Sequence, residues 1–600
     1  MYTNLPKAVM HTSAQQDYLN GLNSNASNDS MGSRHVRAGK AVFLLVLAFW
    51  LFALPRTGQC EVGRVKKVAE SGLNFRLVKN GEGASPPVER VDEGIDAMSA
   101  YRHGNYQLAI PLLRQAIVGR PKDSELTAAL VASLVHERLI DEASAEAEKA
   151  GAAFPDSAEV LGAQGDLAFY LGDMGAAERF YKLSLKQKET ARSLIGLCRL
   201  YRSASMFRTS RMVLFRAHQV GPEDAAVQEA WAEIISADKK STLAASNPLA
   251  SVVKADSVAV DQLQKRLEGH RPNQLTDPPS VANIPLEVMQ SVGVVNGCVL
   301  RATFNGKIPL RLFVSTTQTG ISIENTTAIL RLQQSMDPED WVRLNRGIDG
   351  KPLAPSFWTN SGAAAMRIPH YPGVFAANTC EIGNITLRYC VAPAIGNEAF
   401  SHNTVTGRVS SAVDGYIGLN MFSEFLVTLD FHGGMLHLQR QAERPVDTQG
   451  YDREVSPETA SYLRLFRFGN TFMLPVAVNG LSPRLFLLST ATNVSQLDEK
   501  FATEILKIRK TDIAMTKAGM KVKDVFQVEN VDLQFGKFEQ KNKRMPVVDL
   551  TGTGTNEIRV AGVLGLPVLS LFRITLDYQN GLAKFEPNYD EANTTVAKPR

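Results

Sequence analysis

Residues 310–323, LRLFVSTTQTGISI, and residues 484–497, RLFLLSTATNVSQL, are two copies of one segment. In a longer frame LRATFNGKIPLRLFVSTTQTGISI (300–323) lies over LPVAVNGLSPRLFLLSTATNVSQL (474–497). Asn305-Gly306 then falls on Asn479-Gly480 and Ser315 on Ser489, at a constant offset of 174. A second pair follows at a constant offset of 147, DGYIGLNMFSEFLVTLDFHGGMLHL (414–438) over AGVLGLPVLSLFRITLDYQNGLAKF (561–585). It places Gly418 on Gly565 and Asp430 on Asp577. Both stretches alternate Val, Leu, Ile, Phe and Thr and are punctuated by Gly-containing turns, the pattern of β-strands. Two homologous β domains in tandem are therefore expected.

At these residues each copy resembles one lobe of a retropepsin-like aspartic protease. In that family a strand leads into a loop of the form hydrophobic-Asp-Thr-Gly. A later hydrophobic-hydrophobic-Gly element, here Tyr416-Ile417-Gly418 and Val563-Leu564-Gly565, precedes a strand of the type LVTLDF. The resemblance covers most of residues 284–587 and implies two lobes facing each other across a pseudo-two-fold axis.

The loops depart from the family at the positions that carry its chemistry. Ser315-Thr316-Thr317 and Ser489-Thr490-Ala491 stand where Asp-Thr-Gly is expected, so both carboxylates and both glycines are gone. Thr316 and Thr490 remain, and the resemblance implies that they brace the loops across the lobe interface. The family activates water between two carboxylates that share a proton, because like charges ~3 Å apart cannot both ionise. Two hydroxyls offer no such general base, and each lost acid-base group is expected to cost about 10² to 10⁴ in rate. Serine could serve as a nucleophile only beside a base such as His or Lys. None of His370, His402, His432 and His437 falls in a nucleophile motif. Asp414, the one acid beside a family landmark, is expected to cap a turn, since Ala561 is its counterpart in the second copy. No catalytic residue is assigned, and Thr317, Ala491, Gly418 and Gly565 are expected to be structural.

Residues 347–375, GIDGKPLAPSFWTNSGAAAMRIPHYPGVF, have no counterpart of similar length in the second copy. Two readings are open: a flap over the cleft, with Trp358 and Tyr371 touching a ligand, or a surface insertion packed on its own lobe.

Towards the N-terminus the period changes. AYRHGNYQLAIPLLRQAIVGRP (100–121), LVHERLIDEASAEAEKAGAAFP (134–155) and FYLGDMGAAERFYKLSLKQ (169–187) align at an interval of 34. Gly104, Arg138 and Gly172 share a position, as do Ala109, Ala143 and Ala177, then Ala116, Ala150 and Ser184. Pro121 and Pro155 also coincide, and a looser fourth copy spans 197–222 with Ala217 following Ser184. This is the period of the tetratricopeptide repeat (TPR), which these stretches resemble: paired helices whose small Ala side chains allow close approach, ended by Pro. The resemblance implies a concave face that binds peptides or partner proteins.

Ala41 to Pro55, AVFLLVLAFWLFALP, follows Arg34, Arg37 and Lys40 in the charge order of a secretory signal. At about 1.5 Å per residue it is short of the ~30 Å hydrocarbon core, which favours cleavage over a signal anchor. The forty-residue leader is long for a signal, and Met31 would give an ordinary length. Cys60 in TGQC departs from the lipoprotein pattern at Gln59. Under each reading the bulk of the chain leaves the cytoplasm.

Five cysteines, Cys60, Cys198, Cys298, Cys380 and Cys390, show no CxxC spacing or histidine cluster, so no metal or other cofactor is expected. Cys380 and Cys390 flank a possible hairpin, and their pairing is open. The basic run between Lys507 and Arg544 reads as a solvated face. A net charge of +4 over 600 residues gives no reason to expect nucleic acid.

The fold expected is multidomain α plus β, a TPR-like α-solenoid followed by two retropepsin-like all-β lobes of the acid protease fold. The expected division is a polar leader (1–40), a signal h-region or anchor (41–55), a linker (56–90), helical repeats (91–240) and a linker (241–283). Lobe 1 (284–440), a linker (441–459), lobe 2 (460–587) and a disordered tail (588–600) follow. The function expected is binding rather than cleavage outside the cytoplasm: a protein or peptide partner in the TPR groove and the inter-lobe cleft. The alternative is an active aspartic endopeptidase with a non-standard site.

Overall fold

A computed structural model describes residues 8–11, 93–236, most of 262–324, 341–343, 373–395, 413–442 and most of 451–588. The segments 41–55 and 56–90, Met31, Cys60, Trp358 and Tyr371 lie outside the described residues. A helical N-terminal region is followed by β-rich, barrel-like domains.

The helical region is four successive hairpins: α1 (Glu93–Arg102) with α2 (Tyr106–Gly119), α3 (Ser124–His136) with α4 (Ile140–Ala153), α5 (Ala158–Tyr170) with α6 (Met174–Gln187), and α7 (Ala191–Ser203) with α8 (Phe207–Val220). A short α9 (Ala225–Trp231) follows. The residues that recur in the sequence recur in space. Gly104, Arg138, Gly172 and Ser205 each turn the chain at φ of 74°, 62°, 75° and 59°, the left-handed conformation that ends a helix most easily at glycine. Ala109, Ala143 and Ala177 are fully buried, as are Ala116, Ala150, Ser184 and Ala217 in the next register. The odd member, Ser184, is satisfied by donating to the Ala158 carbonyl at 2.7 Å. Asp123, Ser157, Thr190 and Asp224 cap the N-termini of α3, α5, α7 and α9 by accepting backbone N–H groups, a second periodic signal.

In the first β domain the strands used below are β1 (Val281–Pro285), β2 (Val294–Phe304), β3 (Ile308–Ser315), β4 (Ile321–Glu324), β5 (Gly373–Ile382), β6 (Ile385–Ile395), β7 (Gly415–Gly418), β8 (Phe425–Asp430) and β9 (Met435–Arg440). The second domain repeats the plan with β10 (Thr471–Val478), β11 (Arg484–Leu488), β12 (Gln496–Asp498), β13 (Val525–Phe535), β14 (Phe538–Val548), β15 (Gly562–Leu564), β16 (Phe572–Asp577) and β17 (Leu582–Pro587). In both, the hydrophobic-hydrophobic-Gly strand pairs parallel with the strand that leads into the serine loop, β7 with β3 and β15 with β11. The turn residues Asn305 and Asn479 have φ of 49° and 50° and accept from Thr379 and Asp532 N–H at 3.1 and 2.8 Å. The short strand Ala8–His11 lies parallel to Phe538–Lys541.

Strands from both copies join in one six-stranded sheet, in which β8 pairs with β16 at the centre. Thr428 and Thr575, equivalent by the internal repeat, sit opposite each other with hydroxyls 2.9 Å apart. β1 and β17 belong to the same sheet, whereas Gln274–Thr276 pairs with β6 in the first domain's own sheet, so strands begin slightly ahead of residue 284. One apolar core spans both copies, from Ala282 to Phe585.

The helices pack directly on the second domain. Phe169, Tyr181, Leu197 and Leu200 share a core with Phe468, Leu485, Val560 and Val563. Asp173 accepts from Ser482 Oγ at 2.6 Å and is bonded by Arg484. Burial would raise the Asp173 carboxyl, but the hydrogen bonds of Ser482 and Ala176 and the Arg484 charge hold it below its usual range. Arg559 N–H donates to the Tyr170 carbonyl at 2.7 Å. The segment between the two β domains takes part: Asp452 accepts from Thr209 N–H and Oγ1 at 2.9 and 2.7 Å, and Phe207 N–H donates to the Tyr451 carbonyl.

Candidate functional site

β3 and β11 each run buried into their serine loop, and the two loops meet. Thr316 N–H donates to Thr490 Oγ1 at 3.1 Å, and Thr490 N–H donates to Thr316 Oγ1 at 3.1 Å. Each hydroxyl then donates across the junction to the strand end of the other copy, Thr316 to the Leu488 carbonyl at 2.7 Å and Thr490 to the Val314 carbonyl at 2.9 Å. Four buried hydrogen bonds related by the pseudo-two-fold thus lock the loops. All are satisfied on both sides, which is what burial of such groups requires.

Ser315 and Ser489 are buried beside this junction. Ser315 Oγ accepts from the N–H groups of Thr317 and Gln318 at 3.2 and 3.1 Å and lies 3.2 Å from Thr317 Oγ1. Ser489 Oγ lies 2.8 Å from Thr492 Oγ1. Each serine hydroxyl is engaged within its own loop by hydrogen bonds of the kind that stabilise short turns. Neither has a histidine or lysine among its hydrogen-bond partners in the described residues.

The neighbouring positions fit a structural reading. A Cβ on Gly418 would sit 2.3 Å from the Gln318 carbonyl oxygen, and one on Gly565 2.6 Å from that of Thr492, so backbone passes too close for any side chain. Ala491, where the family pattern has glycine, packs on the Val299, Phe313 and Tyr416 cluster of the other copy. Burial pushes the Tyr416 phenol up to about 12, leaving it neutral. Asp414 accepts from Arg311 N–H at 2.8 Å and carries the same main-chain bonds as Ala561: Asp414 N–H to the Arg311 carbonyl, Ala561 N–H to that of Leu485. It is a turn residue at a pseudo-symmetric place. His437 bonds Asn283 at 2.7 Å on the surface.

Sequence reasoning singled out Ser315, Thr316, Thr317, Ser489, Thr490 and Ala491, and the fold brings them to one junction. It did not find the helix-to-lobe contact, since nothing in the sequence around Asp173 points to a partner more than 300 residues away. Cys198, Cys298, Cys380 and Cys390 are buried free thiols. Among the described residues no helix is long and apolar enough to cross a membrane.

A scan of protein families and a search of curated proteins both returned no match. Among solved structures, a thermophilic TPR protein of Thermus thermophilus is similar at 17% identity over 23% of this chain and 77% of its own, with a TM-score of 0.20. Conglutin gamma, a basic 7S globulin from lupine seeds, and the protein edgp are each similar at 12% identity. Each match covers 52% of this chain and 96% of the other, with a TM-score of 0.28.

Proposed function

We propose that this chain is an exported protein of the two-lobed aspartic-protease architecture that holds a peptide without cutting it, joined to TPR-type helices that recruit a protein partner. The observation that supports this is the junction itself. The threonines that brace the loops are retained and fully bonded, whereas the adjacent residues are two serines whose hydroxyls are engaged within their own loops. A dyad that shares a proton needs two acids in contact, and two neutral hydroxyls supply neither the base nor the charge coupling. Losing groups worth about 10² to 10⁴ each leaves peptide hydrolysis without its main acid-base contribution.

The test is direct. The purified full chain is incubated with a fluorescent unfolded protein between pH 3 and pH 7, with and without pepstatin, while anisotropy follows binding. Binding without fragments is the expected result. Pepstatin-sensitive fragments would establish an active endopeptidase instead, and an anisotropy that never rises would remove the peptide-holding role.

A further inference from the structure

Between the helices and the second β domain lies a cavity of about 530 Å³, walled by α3, α5, α7 and α9 on one side and by Arg467 to Gly469 and Glu557 on the other. That volume is of the size of a small-molecule site and is too small for a folded partner. On α7, Arg192 and Arg199 are two turns apart and share a face. Arg192 is satisfied, donating to the Ala128 carbonyl at 2.9 Å and to Tyr101 Oη at 2.6 Å. Arg199 lines the cavity, and among the described residues it has neither a hydrogen-bond acceptor nor a carboxylate at ion-pair distance.

No acid among the described residues is bonded to it. Asp166 is the one carboxyl at depth, and it accepts from Tyr181 Oη at 2.9 Å. Burial pushes its carboxyl up against the opposing pull of Arg192 and Arg199, and its charge in turn acts to raise Arg199. Glu233 is taken by Arg202 at 3.3 Å. Glu229 and Glu557 also line it and are exposed, although burial still pushes the Glu557 carboxyl up. His136 adds no charge near neutrality, because burial and the nearby arginines Arg199, Arg138 and Arg192 lower it to about 4. The chamber therefore offers the free donors of Arg199, with the carboxyls of Glu229 and Glu557 elsewhere on its wall. Phe169, Tyr170 and Phe468 supply apolar lining.

A guanidinium offers five N–H donors in a planar fork that matches a carboxylate, and those of Arg199 open onto the cavity. We propose that this chamber binds a small zwitterion of the free amino acid or dipeptide class, with its carboxylate on Arg199 and its ammonium group towards Glu229 and Glu557. The site is built jointly by the helices and the second β domain. It stands independently of what the inter-lobe cleft holds.

Titration calorimetry on the full chain tests this with alanyl-phenylalanine as probe, beside its N-acetyl form, which lacks the ammonium, and its C-terminal amide, which lacks the carboxylate. The dipeptide is expected to bind at millimolar affinity or better, and the amide and the Arg199→Gln variant each to lose about tenfold or more. Glu229→Gln, at an exposed position, should weaken the dipeptide and leave the N-acetyl form unchanged. No binding of the dipeptide at ~10 mM overturns the proposal, as does undiminished binding by Arg199→Gln. Should Arg199→Gln fail to fold, Glu229→Gln decides: equal effects on the dipeptide and its N-acetyl form overturn the assignment of the ammonium to Glu229 and Glu557.

Discussion

Thr316 and Thr490 show how much one hydroxyl can carry. Each donates to a carbonyl and accepts from an N–H, so removing one leaves two buried backbone groups of the opposite loop unsatisfied. An unsatisfied buried group costs about 1–3 kcal/mol, so Thr316→Val, which keeps the shape, is expected to destabilise the chain by about 2 kcal/mol or more. Denaturant unfolding of the two proteins measures this, and a difference within error of zero would show that the junction is incidental. The threonines were legible because the internal repeat aligns them, and their bracing role came from the family resemblance. The hydroxyl contact at Thr428 and Thr575 was not predicted, although both lie in the aligned TLD strands.

At the scale of elements the helical repeat was the most readable part, because its constraints are local. Close helix approach demands alanine, a left-handed turn favours glycine, and both recur every 34 residues or nearly so. The variations on that plan are less legible. The buried Tyr181 ring lies against both Gly165 and Gly196, where an added Cβ would come within 2.5 and 2.2 Å of it. Gly196→Ala should therefore cost about 1–3 kcal/mol by overpacking, whereas Gly119→Ala, with open space at its Cβ, should be neutral or gain up to about 1 kcal/mol of helix propensity. Thermal midpoints of the two variants separate these effects. Equal shifts would mean that the ring moves aside freely.

At the scale of the whole molecule the sequence marked a linker at 241–283 between the repeats and the lobes and was silent on how they pack. The core shared by α5, α6 and α7 with β10, β11 and β15 makes the helices part of the second lobe's packing. The sequence could not reveal this because an apolar residue facing another module looks the same as one facing its own. A fragment of residues 280–600 would expose Phe468, Leu485, Val560 and Val563 together, a contiguous apolar face of the kind that drives association. Its elution should be that of aggregates or oligomers and its dye binding stronger than the full chain's. A monomer with unchanged thermal midpoint would refute the shared core.

The central pairing of β8 with β16 also sets an order of events in time. Residues are made from the N-terminus onward, so Phe425–Asp430 exists well before Phe572–Asp577, the strand that covers its free side. Until then the first lobe carries an open strand edge, ready to pair with any passing chain, and closing it requires a long-range and therefore slow contact. Were the first lobe to fold as it is made, it would stand finished and adhesive for a period set by how fast the second half arrives.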